Sequence, residues 1–221
     1  MRLSFREPVN SLTHLAGAIL SALGALVLLL IALENGSVRQ IVAFSIFGVS
    51  LVAMYCASAF YHSLNVSELG VARLRRLDQV MIYVLIAGTY TPVCLVLLRG
   101  SLGLALLISV WSLAVIGALQ TMTWRNAPGW LPTAVYIGMG WISLIVARPL
   151  VAASRGFFYW ILAGGVIYTV GAILHSRNWP RAHGPNGTRR IFGAHEIWHL
   201  CVIGGSFAHY WAILAYATRV P

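Results

Sequence analysis

The sequence is poor in charged residues and contains no lysine. Only 9% of its 221 residues are charged, and five acidic side chains stand against fifteen basic ones, all of them arginine. Soluble domains average about 25% charged and 45–50% apolar residues, whereas 59% of this chain is hydrophobic. Because so little polar material cannot cover a water-facing surface, the composition excludes an ordinary soluble enzyme and a disordered segment.

The excess of positive charge does not indicate a nucleic-acid-binding protein. The formal net charge is +10, but the arginines lie between apolar runs and form no continuous basic stripe.

Cysteine is also scarce. Cys56, Cys94 and Cys201 all lie in apolar runs without a Cys-x-x-Cys motif, so we expect free thiols rather than disulfides.

The chain contains seven long apolar runs, each of about 18 residues or more. A helix rises 1.5 Å per residue, so roughly 20 residues cross the hydrocarbon core of a bilayer. The sequence therefore predicts an all-α polytopic membrane protein, a seven-transmembrane-helix bundle that forms a single domain over residues 1–221. The predicted spans are 14–33, 38–61, 79–98, 101–120, 130–148, 157–175 and 195–217.

The distribution of arginine predicts the orientation of this bundle. Ten arginines lie in the N-terminal segment and in the second, fourth and sixth connections, and five lie on the opposite side. The positive-inside rule then places the N-terminus in the cytoplasm and the C-terminus outside. We expect a multi-pass protein of the inner (plasma) membrane whose partners are membrane lipids and not nucleic acid.

Ionisable side chains near the ends of the predicted spans are the strongest functional signal, because charge in or beside a bilayer is costly and marks function. His62 ends the second span, Asp78 precedes the third, and His195 and His199 begin the seventh. In a bundle whose spans alternate in direction, all of these positions lie at one membrane face. The predicted orientation makes it the cytoplasmic face.

The spacing of these residues suggests a metal site. His195 and His199 are four residues apart, so their imidazoles share one helix face, and Ser58 and His62 have the same spacing. Three imidazoles around a cation leave a fourth position for water, the open geometry of a catalytic zinc site. Asp78 would then bind that water or orient a ligand. Iron, copper and nickel also accept imidazole, so spacing alone leaves the metal open.

The same segment permits a second interpretation. His195-Glu196-Ile197-Trp198-His199 matches the His-Glu-x-x-His pattern of metalloproteases, in which Glu196 would be the general base. Intramembrane proteases of this kind usually take a further acidic ligand from a later helix, and no acidic residue follows Glu196. We therefore favour Glu196 as an acid at a helix N-terminus, where the helix dipole stabilises it.

Several motifs together resemble those of the hemolysin III proteins, the bacterial branch of the progestin and adipoQ receptor family. The resemblance covers essentially the whole chain. It is carried by Glu7-Pro8-Val9-Asn10-Ser11-x-Thr13-His14, Ser58-x-x-x-His62 with Asp78 sixteen residues on, Tyr90-Thr91-Pro92, and the run from His195 to Tyr210. It implies a zinc ion held by His62, His195 and His199, with Ser58 and Asp78 sharing the metal-bound water. It also implies kinship with membrane ceramidases, which are zinc-dependent amide hydrolases.

Three functions remain open at this stage. The first is a zinc-dependent hydrolase of lipid amides or esters, whose substrate enters from the bilayer. The second is a receptor or membrane-state sensor with a structural zinc. The third is a hemolysin-type pore, which has the least support because no predicted helix shows a continuous polar face.

Three of the four remaining histidines have no assigned role. We expect His14 and His175 to pack at helix ends. His209 lies fourteen residues beyond His195, about 21 Å deeper along the helix, which is too far to share its metal. The sequence does not indicate the oligomeric state.

Overall fold

The computed structural model describes residues 5–124, 126–181 and 192–219. Every regular element within these residues is helical, and seven helical segments are long and apolar enough to cross a membrane. The α-helices are α1 (Pro8–Asn35), α2 (Val38–Ser63), α3 (Glu68–Pro92), α4 (Gly100–Thr123), α5 (Trp130–Trp141), α6 (Ala147–Ala153), α7 (Arg155–Ser176) and α8 (Ala194–Tyr216). The prediction of an all-α bundle with seven spans is confirmed.

Two helices begin well before their apolar runs. α1 begins at Pro8, where the missing N–H of proline costs no helical hydrogen bond. α3 begins at Glu68, and the Ser67 side chain caps it by accepting the Gly70 N–H. Asp78 therefore lies ten residues into α3, about 15 Å from its first residue, and not at the helix start. Hydropathy locates only the apolar part of such a helix.

The fifth span is interrupted between α5 and α6 by a 3-10 turn at Ile142–Val146. The Tyr90 hydroxyl lies 2.9 and 2.8 Å from the Met139 and Gly140 carbonyl oxygens, and it accepts the Ser143 N–H at 2.8 Å. The Tyr90 side chain thus forms hydrogen bonds with backbone groups that lose their helical partners at the interruption. Such groups must be satisfied within the protein because the hydrocarbon core contains no water.

Close packing of α7 against α8 depends on one glycine from each of two Gly-Gly pairs. A Cβ on Gly205 would lie 2.7 Å from the Tyr168 ring, whereas a Cβ on Gly204 would meet only Ile167, at 3.5 Å. Gly164 likewise faces the ring of His209. Small residues at such positions let membrane helices approach closely.

This contrast predicts that Gly205→Ala destabilises the bundle by about 1–3 kcal/mol, because the methyl group overlaps an aromatic ring. Gly204→Ala should change stability by less than about 0.5 kcal/mol, since its methyl group makes an ordinary contact. Thermal unfolding of the two variants in the same detergent measures the difference. Equal melting temperatures would contradict the packing described here.

Candidate metal centre

Three histidines from two helices meet at the end of the bundle that carries the N-terminus. His62 lies in the last turn of α2, and His195 and His199 lie in the first two turns of α8. Each histidine has a ring nitrogen that lies within 4.8 Å of a ring nitrogen of each of the other two. His62 and His199 are 0% and 2% exposed, and His195 is half-buried. The histidines that the sequence singled out therefore form a group that could hold a metal ion.

The environment of His62 fits a metal ligand. Its Nδ1 lies 2.8 Å from Oε2 of Glu7, and its Nε2 is buried without a hydrogen-bond partner. A carboxylate only accepts hydrogen bonds, so Nδ1 carries the proton and Nε2 presents a lone pair to the other histidines. Metal-bound histidines in proteins commonly have such a carboxylate on the other nitrogen.

His199 is oriented in the same way by a hydroxyl group. Its Nδ1 lies 3.4 Å from Oγ1 of Thr13, which itself donates to the carbonyl oxygens of Val9 and Asn10 at 2.9 and 3.0 Å. The Thr13 oxygen is therefore left to accept the Nδ1–H, and Nε2 is free for a metal. The ring of His14 stacks on that of His199, with centroids 3.7 Å apart.

Glu7 contacts three side chains at this site. Besides His62, it accepts a hydrogen bond of 3.0 Å from Nδ2 of Asn10, and Nε of Arg6 lies 3.6 Å away. The hydrogen bond from His62, assisted by Asn10 and partly opposed by burial, lowers the pKa of Glu7 to about 2. The carboxylate is ionised at neutral pH, and a charged acceptor holds the His62 ring firmly.

The second acidic residue of the site, Glu196, has both oxygens occupied. Oε2 accepts the Gly193 N–H at 2.9 Å, and Oε1 accepts Nδ2 of Asn10 at 3.2 Å. These contacts agree with the interpretation of Glu196 as an acid at a helix N-terminus. Both oxygens are directed toward Asn10 and the helix start, which disfavours the general-base role that a metalloprotease would require.

Ser58 and Asp78 reach the site from α2 and α3. Both line the same cavity as His195 and His199, and Ser58 is buried. The Asp78 carboxylate has the Ser58 hydroxyl and the His62 ring among its electrostatic neighbours. Asp78 stands outside the three-histidine group itself. The structure thus brings all five predicted site residues together, with the Asp78 carboxylate set back from the three histidines.

A cavity of about 740 Å³ extends from the histidines into the bundle. Along α3 and the helical turn that directly continues it, the cavity wall runs from Arg75 to Val93, eighteen residues or about 27 Å of helix, at spacings of three and four residues. Beyond Gln79 this wall is mostly apolar, and α2, α5, α7 and α8 form most of the other walls. The volume falls within the range of about 300–1,000 Å³ that is typical of small-molecule sites.

Sequence reasoning missed the contribution of α1. The predicted first span, 14–33, leaves Glu7 outside, and the sequence predicts only helix-end packing for His14. The available signal was the recurrence of Glu7, Asn10 and His14 every three or four residues, which aligns Asn10 and His14 on one face of α1 with Glu7 directly before its first turn. As expected, His209 lies apart from the three-histidine group; its Nε2 donates to the Ile161 carbonyl of α7 at 3.1 Å.

Comparison with known proteins agrees with this architecture. A family model described as "Haemolysin-III related" matches residues 4–210. The chain is 38% identical to the hemolysin-3 homolog of Bacillus subtilis, with 97% of this chain and 96% of that protein covered. It is 37% identical to hemolysin-3 of Bacillus cereus, covering 95% and 91%. It is 25% identical to progestin and adipoQ receptor-like protein 1 of Caenorhabditis elegans, covering 94% of this chain and 51% of that protein.

Proposed function

This chain belongs to the haemolysin-III-related family, and we propose that it is a zinc-dependent hydrolase of lipid amides or esters. We place its metal near the cytoplasmic leaflet, where the arginine distribution puts the histidines. The observation that carries the proposal is the connection of a three-histidine group to a long, largely apolar cavity. A site of this shape suits an acyl chain whose carbonyl group stops at the metal.

The residues fit zinc and the chemistry that it supports. Imidazole nitrogens are preferred zinc ligands, and the buried, unpartnered Nε2 of His62 points to a missing bonding partner. When bound, zinc polarises a carbonyl group and lowers the pKa of a coordinated water to about 7. His62, His195 and His199 would supply the three protein ligands and leave the fourth position open.

Asp78 would transfer the proton during hydrolysis, and Ser58 would position Asp78. Hydrolysis adds the oxygen of water to the acyl carbon, breaks the bond to the leaving nitrogen or oxygen, and transfers a proton to that leaving atom. Asp78 would take the proton from water and deliver it to the leaving group, as a general base and then a general acid. Ser58, its hydrogen-bonding neighbour, would hold the carboxylate in place.

The cavity also sets the path of the substrate. Its wall follows α3 over about 27 Å, a distance comparable to the thickness of the hydrocarbon core. An acyl chain entering laterally from the bilayer would lie along Ile82, Ile86 and Val93, with its headgroup at the histidines. A lipid is therefore favoured over a water-soluble substrate.

We expect the purified protein in detergent to release fatty acid from a C16 acyl amide or ester, and to lose this activity with a chelator. Asp78→Asn should lower kcat by about 10²–10⁴-fold while the protein keeps its metal, because the carboxylate is not a ligand. Elemental analysis of the same sample gives the metal content. Full zinc occupancy without turnover on any acyl amide or ester would refute the proposal.

One observation favours a second function, that of a receptor or membrane-state sensor. The histidines and their partners connect α1, α2 and α8, so a metal could hold three helices together without reacting. A structural metal predicts that chelation lowers the melting temperature strongly, whereas a catalytic metal predicts lost activity with the fold mostly retained.

A further inference from the structure

Arg75 is an exposed residue that lines the cavity one turn before Asp78 on α3. We call this solvent-facing end of the cavity its mouth. Both residues line the cavity together with His195. Three residues of helix place the Cα of Arg75 about 4.5 Å from that of Asp78 along the axis, on the side away from the apolar wall. A lipid whose acyl chain runs toward Val93 would therefore present its headgroup to Arg75.

Arg75 has no ion-pair partner among the described residues. The ion pairs within 4.0 Å in this part of the chain join Glu7 to Arg6 and to His62. Asp78, three residues away, is an electrostatic neighbour of Arg75, but the two side chains form no salt bridge within 4.0 Å. The other polar residues at the mouth, Gln79 and His175 among them, carry no negative charge.

The balance of charges at the mouth of the cavity also favours binding of an anionic group beside Arg75. A divalent metal and Arg75 together bring three positive charges, against the two negative charges of Asp78 and Glu196. The third carboxylate, that of Glu7, is balanced by Arg6, whose Nε lies 3.6 Å away. An anionic headgroup would compensate the remaining positive charge, and the planar guanidinium of arginine suits a carboxylate.

We propose that Arg75 binds a carboxylate on the leaving group, so that the preferred substrates are acyl amides of amino acids. This inference rests on the proposed hydrolase function and narrows its substrate class. The scissile carbonyl lies at the three histidines, the acyl chain lies along α3, and the carboxylate of the leaving amine pairs with Arg75.

Two amides with the same acyl chain test this inference: N-palmitoylglycine, which is anionic, and N-palmitoylethanolamine, which is neutral. We expect kcat/KM to be about tenfold higher for the anionic amide, the value of one charged hydrogen bond. Arg75→Gln should bring the ratio of the two values close to one. Arg73→Gln removes a neighbouring charge that does not line the cavity, so it should keep the wild-type ratio.

The outcomes separate this inference from the function on which it rests. Hydrolysis without preference for the anionic amide, or the same change of ratio in Arg73→Gln, would overturn the role of Arg75 and leave the hydrolase intact. If neither amide is hydrolysed, the hydrolase proposal fails for amides, and equilibrium binding of the same two compounds then decides about Arg75. Tighter binding of the anionic amide by wild type but not by Arg75→Gln supports the role; equal binding overturns it.

Discussion

Replacement of His62 by alanine is expected to leave the protein essentially without bound metal. The variant loses one of three ligands and leaves the Glu7 carboxylate without the ring that it orients. Loss of an outer partner alone typically costs about 10–100-fold in metal affinity, so loss of a ligand should cost more than about 100-fold. Elemental analysis after dialysis, together with hydrolysis of an acyl amide, measures both consequences.

Two controls keep this experiment decisive. His175→Asn alters a histidine whose ring lies 4.9 Å from that of His195 but which is outside the ligand group, so it should keep its metal. His199→Gln removes a different ligand with a smaller change of volume, and it should lose the metal as His62→Ala does. Stoichiometric metal in a monodisperse sample of His62→Ala would rule out His62 as a ligand.

The second large effect is expected at Glu7, which contacts His62 but is not one of the three proposed ligands. Glu7→Ala removes the acceptor of the His62 Nδ1–H and should weaken metal binding by about 10–100-fold. Glu7→Gln keeps an oxygen that can accept this hydrogen bond but lacks the charge, so its affinity should lie between those of wild type and Glu7→Ala. Competition with a chromogenic chelator gives the three dissociation constants.

Glu68→Gln is the matched control for this series. It removes the same charge from the exposed first turn of α3, where the side chain is not part of the histidine group. Its metal affinity should equal that of wild type. If Glu7→Ala also binds metal as tightly as wild type, then the α1 contact does not tune the site, whatever its contribution to stability.

The sequence predicted those parts of the site that follow from composition and local spacing. Seven apolar runs indicated the bundle, and the rarity of ionisable groups near the membrane singled out His62, Asp78, His195 and His199. Alternation of the spans was then sufficient to bring these positions to one face. The structure confirms the bundle and brings the histidines together.

The partners of the histidines could not be found in the same way. Glu7 and His62 are 55 residues apart, and Thr13 and His199 are 186 apart. Which side chain of α1 meets which ring depends on how α1 rotates and tilts against α2 and α8, and hydropathy contains no information on either. The interruption of the fifth span was missed for a similar reason, since the hydroxyl group of Tyr90 that serves the released backbone belongs to another helix.

The origin of the ligands along the chain has a consequence for biogenesis. His62 emerges from the ribosome with the second membrane helix, whereas His195 and His199 belong to the last one. A nascent chain that has inserted six spans holds only one of the three ligands. If the three histidines bind a metal as proposed, complete coordination must follow insertion of α8, and metal content would then measure how much of the protein has its final helix in place.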